Sequence, residues 1–155
     1  MLERLTDGFP VKLMGGILFL TFEKQMEMLL LFGILIFLDC LTRWIAISYE
    51  HLVSCGRQPT FLDAVCGIRE ARRRRLISSE IMKKRGTEKL ILYNLCVAAG
   101  IVSDALLEEA GTSPGGMAGI VVSYLAATEA LSVIENLSDA GVSSMTELLK
   151  KLRGR

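Results

Sequence analysis

Apolar residues in this 155-residue chain are spread unevenly, crowding into three long runs. Residues 28–47 read MLLLFGILIFLDCLTRWIAI, residues 90–107 LILYNLCVAAGIVSDALL, and residues 117–134 MAGIVVSYLAATEALSVI. Charge collects between them. Each helix of a soluble bundle needs a wet face, which distributes charge along every helix. Segregation of this kind predicts helices surrounded by hydrocarbon. About 20 helical residues rise about 30 Å, the thickness of the apolar layer of a bilayer. Trp44 and Tyr49 near the end of the first run fit an interfacial aromatic belt. The overall hydrophobic fraction, 51%, does not decide the class by itself. A soluble helical protein that buries the runs in its core is the competing reading. Release from membranes by carbonate washing distinguishes it.

The expected fold is therefore all-α: an integral membrane domain over 28–155 with about three transmembrane helices, preceded by an N-terminal segment over 1–27. That segment begins MLERLTDG, with acids as well as bases and no small-residue cleavage site close behind, so a cleaved signal peptide is not expected. Pro10 is expected to interrupt it. Val11 to Phe22 is short for a span, which points to an interfacial or re-entrant helix; a tilted fourth span over 10–22 is the alternative.

Residues 48–89 form a polar, basic loop. From Arg57 to Lys89, ten bases (among them Arg72, Arg73, Arg74, Arg75, Lys83 and Lys84) face four acids. An arginine run can mark a nucleic-acid patch. Its place between two spans, in a chain of net charge +1, favours a topology and lipid-headgroup role and no nucleic-acid partner. The tail, 135–155, is also basic, and SMTELLKKL within it is patterned as an amphipathic helix. Three spans put loop and tail on one side. The slightly acidic N-terminus and the Glu108-Glu109 turn fall on the other. The positive-inside rule then places the N-terminus outside and the C-terminus in the cytoplasm.

The spans contain groups that hydrocarbon solvates poorly. Asp39 and Arg43, four residues apart, share a helix face in the first. Asn94 and Asp104 lie in the second; Glu129 lies in the third, with Glu135 and Asn136 at its inner end. Each ionised group at the centre of a lone helix costs about 2.5–3.5 kcal/mol. These groups are expected to turn toward partner helices or water in an assembly of several copies. Arg43, the one cation inside the predicted spans, is the expected partner of Asp39 or Glu129. Internal pairing within a non-conducting bundle is the alternative. Gly115, Gly119, Ser123 and Ala127 recur every four residues, a spacing that lets helix backbones approach closely.

Enzymatic chemistry has little support. His51 stands alone in a loop with no cysteine or carboxylate cluster beside it, and the chain carries neither a glycine-rich phosphate loop nor a nucleophile elbow. Cys40, Cys55, Cys66 and Cys96 show no CxxC spacing. Neither a catalytic residue nor a metal or other cofactor is expected.

The stretch YLAATEALSVIENLSDAGV, residues 124–142, resembles the closing membrane segment of the holin family of phage lysis and clostridial toxin-secretion proteins. The matching positions are Glu129, Ser132, Glu135, Asn136, Gly141 and Val142. Leu38, Asp39 and Thr42 resemble the family's first-span pattern, with Arg43 where glycine is usual. Ser78 to Gly86 resembles the basic stretch before its second span, and Asp104 an acid near that span's end. The resemblance implies a homo-oligomer in the bacterial cytoplasmic membrane that opens a hole for an endolysin or a toxin. A non-lytic membrane scaffold or regulatory subunit, binding a cytoplasmic partner through the arginine-rich loop, is the alternative.

Overall fold

A computed structural model describes residues 9–113 and 115–154, with side chains from Glu27 onward except that of Ser79. The described residues form five helices: α1 (Phe9–Ser54), α2 (Phe61–Arg73), α3 (Ser79–Glu109), α4 (Met117–Asp139) and α5 (Ser143–Leu152). Three segments are long and apolar enough to cross a membrane: Glu27–Ser54, Glu80–Glu109 and Met117–Asp139. Each contains one of the apolar runs and extends beyond it.

Helix α1 has 46 residues, about 69 Å, which exceeds any bilayer's apolar layer. Pro10 lies in its first turn, where the missing N–H leaves no intrahelical bond unmade; it does not interrupt the helix. A re-entrant hairpin or a separate fourth span would need a turn after Phe22. The sequence TFEKQMEM consists mostly of good helix formers, and the helix continues through it. The expectation for residues 1–8 lies outside the described residues.

The basic segment is more ordered than a loop. Thr60 caps α2: its hydroxyl accepts from the Asp63 N–H, and the Asp63 carboxylate accepts from the Thr60 N–H in return, a capping box. The Thr60 hydroxyl, which also donates to the Asp63 carboxylate at 2.7 Å, and the Thr60 N–H together hold the Asp63 carboxyl below the usual carboxylate range. Arg74 does the same to Glu70, bonded to it at 2.8 Å, and its own guanidinium is pushed up in return. Helix α2 ends as a Schellman turn, with the Leu76 N–H bonded to the Ala71 carbonyl and the Arg75 N–H to that of Arg72. Arg75 occupies the left-handed position at φ 58°. The same turn ends α4, where Gly141 holds that position at φ 83° beneath the Tyr49 ring; a side chain there would collide with the ring.

Helices α1, α3 and α4 pack into a bundle, with α2 against α1 and α5 against α4. One core cluster, Phe32, Ile36, Tyr93, Val97 and Leu125, joins the three spans, and the Phe32 and Tyr93 rings meet edge-on at 5.5 Å. A second, Ile45, Ala46, Ala64 and Ala140, binds α2 and the end of α4 to α1. Loop and tail thus share one end of the bundle. Outward faces stay apolar: Leu30, Phe37, Leu95, Leu106, Ile120 and Tyr124 are all exposed, as suits helices that meet lipid.

Candidate functional site

The polar residues of the three spans converge between the helices. Asp39 and Thr42 are three apart on α1; Lys89 and Tyr93 are four apart on α3; Glu129, Ser132 and Asn136 follow at helical spacing on α4. Each set occupies one face, and the three faces meet. Lys89 Nζ lies 2.8 Å from Asp39 Oδ2 and 2.9 Å from Glu129 Oε1. Tyr93 donates its hydroxyl proton to Glu129, which is only 1% exposed. Ser132 donates to Asp39 Oδ1 at 2.6 Å, and Asn136 Nδ2 donates to the same oxygen at 2.9 Å and to Thr42 Oγ1 at 3.2 Å.

This network revises two expectations. Arg43 is not the partner of Asp39 or Glu129: it points toward the basic end and pairs with Asp139 at 3.4 Å, both side chains about half exposed. Lys89 takes the expected role. Helix α3 begins at Ser79, so Lys89 is a full ten residues inside it rather than at the end of a loop. Secondly, Asp39 and Glu129 find their partners within one copy. Their presence in a span does not by itself require several copies to shield one another.

The remaining expected site residues lie apart from the cluster. Asn94 is exposed and donates to the Leu90 carbonyl one turn back. Asp104 accepts from the backbone N–H groups of Met117 and Ala118 at 2.8 and 3.0 Å. It thereby caps α4, whose own N-cap, Gly116, has no side chain for the task. Glu135 pairs with Arg153 and ties α5 to α4. Gly115 lies in the turn before α4 and outside its four-residue repeat, while Gly119, Ser123 and Ala127 are exposed on α4 and are not its close contact within the chain. That contact is Gly100 on α3, where a Cβ would come within 2.8 Å of Ala118 Cα.

In the basic segment, Arg73 and Arg74 share Glu70, and Lys84 lies 4.0 Å from Glu88. Arg72, Arg75 and Lys83 have no ion pair among the described residues. His51 does have a cysteine beside it, contrary to expectation: Cys55 Sγ is 3.9 Å from Nε2, four residues on along α1 and its cap. Both are near the surface, and the contact is long for activating a thiol. Among the described residues no cluster of His, Cys, Asp or Glu has the geometry to hold a metal.

Two members of the cluster are not singled out by the sequence. Lys89 falls one residue before the apolar run that starts at Leu90, although Ser78, whose hydroxyl accepts from the Ile81 N–H, and the Lys89–Tyr93 spacing both signal a helix that starts earlier. Tyr93 reads as an ordinary span residue until Glu129 is seen opposite it. Thr42 enters only through the family resemblance, with no partner assigned until Asn136 is seen beside it.

Residues 59–154, well over half of the chain, match the model of a family described as the bacteriophage holin family. No curated protein and no solved structure gives a significant match.

Proposed function

Since the chain belongs to the bacteriophage holin family and is a multi-pass helical membrane protein, we propose that it accumulates in the bacterial cytoplasmic membrane, oligomerises and opens a hole. A muralytic enzyme leaves through that hole in a lysis role, or a toxin in the clostridial secretion role. The observation that carries this reading is the family match over helices that combine lipid-length apolar faces with a polar, charged seam. The seam supplies groups that can line water once the helices part. Of the small residues at four-residue spacing, Gly119, Ser123 and Ala127 form an exposed stripe that supplies a surface on which α4 of one copy can approach another closely, and Gly115 lies in the turn ahead of it. In this reading the N-terminus lies outside, and the basic segment, with α5, faces the cytoplasm and anionic headgroups. The chain itself performs no catalysis.

Induced expression in a bacterium tests the proposal. Growth should stop and the membrane potential collapse as the protein accumulates. Full potential at high membrane abundance rejects it. An adjacent cell-wall hydrolase gene assigns the lysis role, and an adjacent large toxin gene the export role.

One observation favours a second reading, a non-lytic scaffold or regulatory subunit: Asp39 and Glu129 are already satisfied by Lys89 inside a single copy. A scaffold that docks a cytoplasmic partner should lose function when Arg72–Arg75 are neutralised and tolerate Glu129→Gln. The hole-forming reading gives the opposite ranking of sensitivity: Glu129→Gln, which weakens the closed seam, shifts the amount of protein at which the potential collapses, while neutralising Arg72–Arg75 leaves the collapse in place.

A further inference from the structure

Between α1, the start of α3 and the end of α2 lies a groove of about 500 Å³. Its walls are apolar and include Phe37 and Trp44 of α1, Phe37 being 60% exposed on the outer, lipid-facing surface. Its deep end is open at Gly33, where a Cβ would meet nothing within 4 Å. Its shallow end carries two cations, Arg72 from the last turn of α2 and Lys83 from the second turn of α3. No carboxylate lines it. From Gly33 to Trp44 the wall runs about 16 Å along the helix axis.

The occupant is defined by those two ends. An apolar trough of this length, opening sideways to hydrocarbon, fits an acyl chain. Two cations without ion pairs among the described residues, set at the headgroup end of the trough, fit a negative phosphate. A zwitterionic lipid brings its own cation to the same place and gains less. We propose that this groove is a binding site for a single anionic phospholipid, its phosphate held between Arg72 and Lys83 and one acyl chain lying along Phe37 and Trp44 toward Gly33. The site rests on the membrane placement of the chain and is independent of whether copies assemble into a hole.

Trp44 is the chain's single tryptophan and lines the groove, which makes the site self-reporting. The full chain is reconstituted in phosphatidylcholine vesicles containing a small mole fraction of lipid brominated on its acyl chain. In separate samples the brominated lipid is phosphatidylglycerol or phosphatidylcholine. Brominated phosphatidylglycerol should quench Trp44 at mole fractions where brominated phosphatidylcholine barely does. Arg72→Gln and Lys83→Gln should each weaken the preference about fivefold. Arg85→Gln removes an equal charge from the same segment outside the groove and should leave the preference close to wild type. Gly33→Leu fills the deep end without touching a charge or displacing backbone, and should reduce quenching by the anionic lipid. Equal quenching by the two lipids in the wild type overturns the site. So does an Arg85→Gln effect as large as that of Arg72→Gln, which would reduce the preference to diffuse surface charge. Absence of quenching by either lipid would remove the groove from the hydrocarbon altogether.

Discussion

Replacing Lys89 by Met tests the buried network most directly. The substitution keeps an unbranched side chain of similar length and removes the ammonium. Asp39 and Glu129 are then left facing each other, with Ser132, Asn136 and Tyr93 as their remaining donors. Removing one partner of a buried ion pair costs about 3–5 kcal/mol, because the other charge stays buried and uncompensated. The Lys89 side chain is 35% exposed, which places its loss at the lower end, about 3 kcal/mol. Glu129→Gln behaves differently. The ammonium keeps Asp39, Tyr93 still has a carbonyl oxygen to donate to, and the expected loss is about 1 kcal/mol.

The double variant Lys89→Met/Glu129→Gln retains a single carboxylate, Asp39, still hydrogen-bonded by Ser132 and Asn136. It should be more stable than Lys89→Met alone, with a coupling of about 1–2 kcal/mol between the two positions. Unfolding of the purified protein in mixed micelles, titrated with sodium dodecyl sulfate and followed by circular dichroism, measures all three. If Lys89→Met is no more damaging than Glu129→Gln, or if the two losses simply add, the three groups do not form one network and the argument fails.

Other consequences follow from single contacts. Arg75→Gly should stabilise the fold by about 1 kcal/mol, since glycine occupies the left-handed position without the steric strain of a Cβ; the same titration reads it, and a loss of stability would assign the arginine side chain a contact of its own. Gly100→Ala should destabilise by about 1–3 kcal/mol, because the added Cβ meets Ala118 backbone and not a side chain that can turn away. A neutral result in the same assay would mean α3 and α4 are less closely packed. Asp104→Ala exposes two unpaired N–H groups at the start of α4 and should cost about 0.5–2 kcal/mol, with Asp104→Asn recovering part of it. Amide exchange at Met117 and Ala118 localises the effect; unchanged protection there would contradict the capping role.

Much of this was legible in the amino-acid order. The three spans follow from where the apolar runs lie, because burying a backbone in hydrocarbon leaves few alternatives to a helix about 20 residues long. The faces of the polar cluster are legible too: Glu129, Ser132 and Asn136 are spaced to share one side of α4. Which cation they meet is not. Arg43 shares a helix with Asp39 and looks like its partner by helical spacing. Yet both oxygens of Asp39 are taken by donors from α3 and α4, namely Lys89, Ser132 and Asn136. Arg43 lies four residues nearer the basic end and finds Asp139 at the close of α4. Lys89 comes from a helix running the other way, and antiparallel register is a property of the packed bundle. Asp104 was equally ambiguous, since a carboxylate that caps a neighbouring helix and one that lines a polar path have the same local sequence.

The closed network also changes what the membrane charges do in the proposed hole. Read from the sequence, they drive assembly, because an isolated helix bearing Asp39 or Glu129 is unstable in lipid. In the folded chain Lys89 already answers both, so a single copy can sit in the bilayer with its seam shut. Drawing α4 away from α1 and α3 would strand each charge at about 2.5–3.5 kcal/mol, and one copy surrounded by acyl chains has nothing to offset that. Several copies opening together do, since the space between them admits water and hydrates the groups as they separate. On this reasoning the buried charges set a barrier to opening, and the smooth face of α4 is left to hold the copies together beforehand. Glu129→Gln should therefore lower the threshold amount of protein at which the membrane potential collapses, while a bulky residue at Gly119, which points into open space in the single copy, should raise it without unfolding the chain.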